Sequence, residues 1–360
     1  MPKLLRLIFV ILLFGSTATC IRAQGNNQKD RELPVMTRNM DAGSDFGYIL
    51  AAALNPDSTK ADILGAIAQT FAEMHSSNYA GRADLVAAEI QATQPYLVGL
   101  QEVTTLRMGT FPGPASTVVD DQLQSLLASL EQRGLHYKVL KVQKNSDIEM
   151  PAVDASLNMI MVGFTDYDAV LVRTDLPVSQ LAIQNVQAQY FTNILNFSIA
   201  GQSIPFTRGW ISVDAKLRGK NYRFVTTHLE TFVNEYQAAQ AQELLYGPLN
   251  TYLPTILAGD LNSDANQPKF ENGPAFGILV NGGFTDIWSV LHPADPGMTW
   301  PYFLEDTTNP DVTPFQRIDL ILTRGNGVEA TAEQLTGTTP VGGIWASDHA
   351  GVVATLKLLP

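Results

Sequence analysis

Cysteine is almost absent from this chain. The 360 residues include one, Cys20, and it lies in an N-terminal stretch built like a secretory signal. Lys3 and Arg6 form a basic start, Leu7 to Phe14 is an apolar run too short to span a bilayer, and Ala23 is a plausible cleavage residue. Cleavage after Ala23 leaves no thiol, which disfavours a small scaffold stapled by disulfides. Thr17-Ala18-Thr19-Cys20 matches a lipoprotein box poorly, so lipidation of Cys20 is the weaker alternative. No later stretch is long and apolar enough for a membrane span. The expectation is an exported protein, periplasmic or extracellular, without a transmembrane anchor.

Basic residues are also in short supply. Lys and Arg number 23 against 35 Asp and Glu, and the formal charge of -12 becomes -15 once Lys3, Arg6 and Arg22 are removed. Such a surface does not attract polyanions over long range, so no stable nucleic-acid partner is expected. A nuclease is not excluded, because bound cations reverse the field locally. The chain has no Gly-x-Ser-x-Gly elbow, which disfavours a Ser-His-Asp hydrolase. From Val35 onward there is no linker, low-complexity tract or repeat of 20–50 residues. Residues 24–33 read as a disordered lead-in and 34–360 as a single domain, expected to be monomeric.

What is present is an alternation of helical and extended patterns. Arg82 to Ala92 is moderately amphipathic; in Asp121 to Arg133, Leu123, Leu126, Leu127 and Leu130 follow helical spacing, with Gly134 to close the helix. A third helix is expected over Glu235 to Tyr246. The strand candidates are Tyr96–Val103, Asp168–Arg173, Trp210–Leu217, Tyr222–Leu229, Thr255–Leu261, Arg317–Thr323 and Gly351–Leu358. Arg218-Gly219-Lys220-Asn221 reads as a four-residue hairpin loop. Tyr96–Gln101 and Thr255–Ala258 are apolar on both faces, as for strands covered on both sides. A mixed sheet core with helices outside is the simplest architecture.

The ends of these strands carry the chemistry. Ile256-Leu257-Ala258-Gly259-Asp260-Leu261-Asn262 places an acid and an amide two residues apart, on one side of an extended chain. Leu97 to Gln101 runs into Glu102, Phe224 to Thr227 into His228, and Val35 to Arg38 into Asn39. Asp319 stands inside an apolar run, where an ionised acid must be paired. Asp348-His349 precedes the last strand, so two of the five histidines fall in this set. Each piece has an ordinary structural reading: a strand-end charge, a core histidine, a capped turn. Together they form an oxygen-rich, thiol-free set suited to a hard cation such as Mg, Mn or Ca. Phosphoryl transfer needs this kind of positioning and charge stabilisation, and histidines oriented by acids supply proton donors and phosphate contacts.

This ordered set resembles the endonuclease/exonuclease/phosphatase superfamily, the pancreatic-deoxyribonuclease-like metal-dependent phosphoesterases. The resemblance is carried by the Asn39 segment, Gln101-Glu102-Val103, Thr227-His228-Leu229, Gly259-Asp260-Leu261-Asn262, Arg317-Ile318-Asp319 and Ser347-Asp348-His349. It implies an α/β (α+β) four-layer sandwich of two packed mixed sheets flanked by helices, with the site at one edge. It implies Glu102 as main ligand of a divalent cation, Mg foremost, with Asn39 beside it and Asp348 in or near a second metal position. It implies Asp260 orienting or activating the attacking water, Asn262 binding the phosphoryl group, His228 and His349 contacting phosphate, and Asp319 charging His349. Asp166 or Asp168 would be an acidic partner of His228, and Arg208 would reach the substrate.

Departures from the family pattern are Asp41 and Asp45, read as turn residues or extra cation ligands. Another is the long segment Asn145 to Tyr167, which carries Met150, Met159, Ile160, Met161 and Phe164 and reads as a packed loop or a mobile apolar lip for lipid. The expected activity is an exported, metal-dependent hydrolase of phosphate esters, a phosphodiesterase of nuclease or sphingomyelinase type. A phosphomonoesterase or a non-catalytic binding module of the same fold is the alternative. The partner is then a nucleic acid, a phospholipid head group or a small diester.

Overall fold

The computed structural model describes residues 31–199, 202–304 and 312–359. The expected signal, 1–23, and residues 24–30 of the expected lead-in lie outside them. Among the described residues fifteen strands follow in chain order. The first five are β1 (Glu32–Asn39), β2 (Leu97–Thr110), β3 (Thr117–Asp121), β4 (Tyr137–Val153) and β5 (Met159–Arg173). Then come β6 (Leu181–Tyr190), β7 (Leu195–Ile199), β8 (Gln202–Phe206), β9 (Gly209–Leu217) and β10 (Lys220–His228). The last five are β11 (Thr255–Asp260), β12 (Thr285–Asp286), β13 (Asp319–Arg324), β14 (Val328–Thr336) and β15 (Gly351–Leu358).

Two large mixed sheets form, with orders β14-β15-β1-β2-β5-β4, where β3 also pairs β2, and β12-β13-β11-β10-β9-β6; β7 and β8 make a separate hairpin. Within them β1 runs parallel to β2 and β10 parallel to β11. Side chains of a strand alternate between faces. Val35, Leu97, Val170, Phe224, Ile256, Ala258 and Ile321 point inward and form the core between the sheets. The intervening residues point outward. Val98, Leu100, Ala169 and Leu171 meet helices Tyr79–Thr93 and Gln122–Gln132, while Val225 and Leu257 meet helices Asn234–Tyr246 and Ala275–Asn281. That double cover explains why these strands are apolar at every position, and it gives the four layers that the resemblance implied.

Continuing the inward rows toward one end of the sandwich turns them polar. Val35 leads to Thr37 and Asn39, Phe224 to Thr226 and His228, Ile256 to Ala258 and Asp260, Ile321 back to Asp319, and Val170 back to Asp168 and Asp166. The register keeps these ends level: Asn39 is opposite Gln101, and Asp260 lies between His228 and Asp319. Where the rows change, the sheets are bridged by polar groups. Thr37 Oγ1 donates to Gln101 Oε1 (3.1 Å), and Gln101 Nε2 donates to Thr226 Oγ1 (2.9 Å).

Several expectations need correction. The Leu217–Lys220 pair closes a two-residue turn, Arg218-Gly219, with both residues at positive φ (44° and 90°), not a four-residue loop. Such a turn matches the strand twist. β13 begins at Asp319, not Arg317, and β1 begins at Glu32, inside the expected lead-in, because Glu32 and Leu33 pair with Lys357 and Leu356. Asn145 to Tyr167 is neither packed loop nor lip. It is most of the β4–β5 hairpin, with its turn at Asp154, whose carboxylate accepts from Ser156 and Asn158 backbone N–H groups.

Gly99 marks a close approach of the sheets: a Cβ there would lie 2.3 Å from Thr226 Oγ1. Gly99→Ala should therefore destabilise the fold by about 1–3 kcal/mol, the usual cost of overpacking. Urea unfolding would measure this, and an unchanged midpoint would contradict the close packing.

Candidate active site

Glu102 owes its position to a bulge. Strict alternation after Gln101 would send it to the outer, helix-covered face. Instead the β2–β5 register shifts between Leu100 and Val103, and Glu102 takes φ +53°. This left-handed conformation is costly for a residue with a Cβ and re-aims the side chain inward. Asn39 Nδ2 donates to Glu102 Oε1 and to Asp260 Oδ2, both at 3.0 Å, and the Ala42 N–H donates to Glu102 Oε2 (2.9 Å). Asn39 Oδ1 accepts the Asp41 N–H (2.8 Å). The Asn39 amide thus joins two carboxylates from different sheets.

Asp260 is the hub. Its Oδ1 accepts the Asn262 N–H (2.9 Å), while Oδ2 lies 3.5 Å from His228 Nε2 and 3.9 Å from His349 Nε2. Burial pushes its carboxyl up to about 7, Asp319 adding and His349 opposing. Asn262, at φ +48°, spends one amide hydrogen on the Leu229 carbonyl (3.0 Å) and is half-buried.

The two histidines carry opposite charge states. His349 Nδ1 lies 2.8 Å from Asp319 Oδ2. Burial works against its charge, but Asp319 and Asp348 outweigh it and hold the imidazolium well above its usual range. His228 is held well below it, by burial first and then by Arg208 and His349. Arg208 Nη1 lies 2.7 Å from His228 Nδ1. A guanidinium can only donate, so Nδ1 is the acceptor and the neutral ring carries its hydrogen on Nε2, facing Asp260 and Glu102.

The acids on the middle strand do not touch His228. Arg208 stands between, 3.9 Å from Asp166 Oδ2, and Asp166, Asp168 and Arg208 are all buried behind the histidine. The expected direct acid–histidine contact and the expected reach of Arg208 to substrate are both corrected: the Arg208 guanidinium fills the position where an acid would bond the ring. Burial raises Asp166 to about 6 and Asp168 further, Asp166 itself adding to the latter.

Asp348 receives Trp300 Nε1–H at Oδ2 (2.8 Å), and its Oδ1 is 3.9 Å from His349 Nε2. Desolvation raises it to about 8, Asp41 adding, His349 opposing and Glu102 adding. Asp41 is a turn residue. It accepts the Gly43 N–H (2.6 Å) and pairs with Arg82 (2.6 Å), while Asp45 is exposed.

The structure therefore brings together Asn39, Glu102, His228, Asp260, Asn262, Asp319, Asp348 and His349. It adds residues that strand-end reasoning missed. Arg38, wholly buried, donates to the His349 carbonyl and pairs with Glu89 (3.1 Å). Trp300 holds Asp348. A signal for Arg38 existed: a guanidinium inside an apolar strand must be paired, the same argument that flagged Asp319.

The residues fit a hard divalent cation. Single ligand atoms of Glu102, His228 and Asp260 lie within 4.8 Å of one another, as do those of Asp260, Asp319 and His349. Asp319 Oδ1 is buried with no hydrogen-bond partner among the described residues, and the Glu102 side chain is 26% exposed, leaving the oxygen-rich set open to solvent.

The Endonuclease/Exonuclease/phosphatase family profile matches residues 72–349, and the chain belongs to that family. Its members are divalent-metal-dependent phosphoester hydrolases. No curated protein matches the chain by sequence. Among solved structures, an endonuclease/exonuclease/phosphatase family protein from Leptotrichia buccalis C-1013-b superposes with TM-score 0.56 at 17% identity, covering 91% of this chain and 100% of that one. A mannosyl-6-phosphatase from Bacteroides thetaiotaomicron VPI-5482 gives 0.53 at 16% identity, covering 90% and 99%. Truncated Caenorhabditis elegans TDP2 gives 0.51 at 16%, covering 92% and 99%. At such identities the likeness is one of fold. Among the described residues no helix is long and apolar enough to cross a membrane.

The shifted groups make stability depend on pH. Folded Asp260 and Asp348 hold protons that the unfolded chain has lost above about pH 4, and His349 holds one that the unfolded chain loses near 6.5. Their contribution is present at low pH and fades as pH rises through about 7 and 8. His228 has the opposite sign, costing stability below about 6.5, where the unfolded ring takes a proton. From pH 6.5 to 8.5 the melting temperature in EDTA should therefore fall, and saturating Mg should flatten the slope. A flat or rising curve in EDTA would contradict the buried-acid arrangement.

Proposed function

We propose that this protein is an exported, divalent-metal-dependent hydrolase of phosphate esters that prefers diesters. The observation that carries the proposal is geometric: a neutral and a charged imidazole, each with Nε2 within 4 Å of Asp260 Oδ2, face one small volume beside Glu102 and Asn262. Glu102, with Asn39 and Asp348 beside it, would hold the cation. When bound, it supplies charge neutralisation at the phosphoryl oxygens and acidity to water.

Each protein group then has one task. Asp260 is placed to take a proton from an attacking water, and the Asn262 N–H fixes its orientation. His349, kept charged by Asp319, donates from Nε2 to a phosphoryl oxygen or the leaving group. His228 donates its Nε2 hydrogen to a second phosphoryl oxygen, its tautomer set by Arg208. The Asn262 amide adds a neutral donor.

Charge supports the preference for diesters. The lining around His349 is rich in acids (Glu102, Asp260, Asp319 and Asp348), a setting that repels a dianion more than a monoanion. Export is supported by the basic start, apolar run and Ala23 of the N-terminus.

The test is hydrolysis of bis-p-nitrophenyl phosphate by the mature chain, in EDTA and then with Mg, Mn or Ca. Activity should appear with metal and fall by about 10²-fold or more in Glu102→Gln and in His349→Ala, with circular dichroism unchanged. Full activity in both variants would refute the assignment. Turnover of p-nitrophenyl phosphate alone would favour a monoesterase, and turnover of neither ester a binding module.

A further inference from the structure

Behind the site, beyond Arg208, an apolar groove opens. Its cavity is about 90 Å³, and apart from Thr70 every lining side chain is apolar. It continues the inward face of β5: past Asp168 and Asp166 that face carries Phe164 and Val162, which pair with Ile148 and Met150 of β4. Met150 and Phe164 belong to the apolar set that the sequence placed in a packed loop or a mobile lip for lipid. Opposite them stand Ile49 and Leu50 from helix Gly47–Leu54 and Phe71 from helix Lys60–Ser76.

Two observations tie the groove to the phosphoester centre and give it an amphiphilic occupant. First, the groove wall abuts the site through one side chain. The Phe206 ring lies 5.4 Å from Arg208 Cζ, and Arg208 in turn bonds His228. Phe232, four residues past His228, meets Phe206 edge-on at 6.2 Å and is 48% exposed. Second, the rim helix Gly-Tyr-Ile-Leu-Ala-Ala-Ala-Leu has no charged residue, yet none of its residues is fully buried, and Leu54 is 80% exposed. Contiguous exposed apolar surface of this kind marks interaction sites and ligand grooves.

We propose that this groove binds the apolar chain of an amphiphilic phosphoester whose phosphate occupies the site; this rests on the phosphoester reading above and names its substrate class. The cavity is smaller than the ~150 Å³ that holds benzene. It is open to solvent, so it takes a few methylenes while the rest of the chain runs along the rim helix.

The test separates groove from chemistry. Methyl-, butyl- and octylphosphonate, which cannot be hydrolysed, are titrated into the mature chain with Mg below their aggregation concentrations, by calorimetry. Each methylene removed from water contributes about 0.8 kcal/mol, roughly fourfold, so affinity should rise by more than about tenfold from methyl to octyl. Ile49→Ser/Leu50→Ser on the rim and Val162→Phe inside should each cut that gain below threefold and leave methylphosphonate binding unchanged. Equal affinity for all three phosphonates, or a length gain that survives both variants, overturns the proposal. A length gain in a protein that hydrolyses no p-nitrophenyl ester supports the groove and refutes the phosphoesterase reading, so the two failures are distinguishable.

Discussion

Two buried carboxylates, Asp260 and Asp319, stand directly opposite each other on neighbouring antiparallel strands, and the organisation of the site answers that repulsion. Like charges at such a separation in a desolvated place are untenable unless something positive lies between them or one holds a proton. The His349 ring supplies the positive charge, bonded to Asp319 and facing Asp260. The ring must then be kept in place, and Arg38 fixes its backbone while Ser347 Oγ accepts its N–H. On the other side, the Asn39 amide bonds Asp260 to Glu102 and so couples the two sheets.

The same logic separates the histidines. Both are buried at strand ends, a few ångströms from one carboxylate oxygen, yet their partners differ in sign. An acid behind His349 makes it a cation. A guanidinium behind His228 keeps it neutral and fixes its tautomer. One carboxylate is thereby offered one charged and one neutral donor, so the donors divide their work by what lies behind them.

The strand-end residues were legible because period-two alternation carries a core row past its apolar part to a polar last residue. Asn39, His228, Asp260 and Asp319 all lie on such rows, and buried acids announce themselves inside apolar runs. What alternation cannot show is where it breaks. Glu102 faces the site only through a bulge, which depends on β5 pairing from more than fifty residues away. Arg208's place between His228 and Asp166 depends on three strands meeting. β4 and the first part of β5, before Asp168, were unreadable for local reasons: Pro151 removes a ladder donor and polar residues interrupt the apolar alternation. β1 escaped as a full strand because Pro34 lies near its start and its support comes from β2 and β15.

β5 runs unbroken from the sandwich core, past the acids behind His228, into the groove. A strand advances by roughly 3.3 Å per residue, so Asp166 and Phe164 sit about 7 Å apart along it whatever the loops do. The strand is in effect a ruler fixed at one end in the core. For the amphiphilic ligand proposed above it would set how far from the phosphate the molecule changes from polar to apolar, and a ligand that changes too early or too late would leave a charge against phenylalanine or a methylene against a carboxylate. Discrimination by length would then need no moving part.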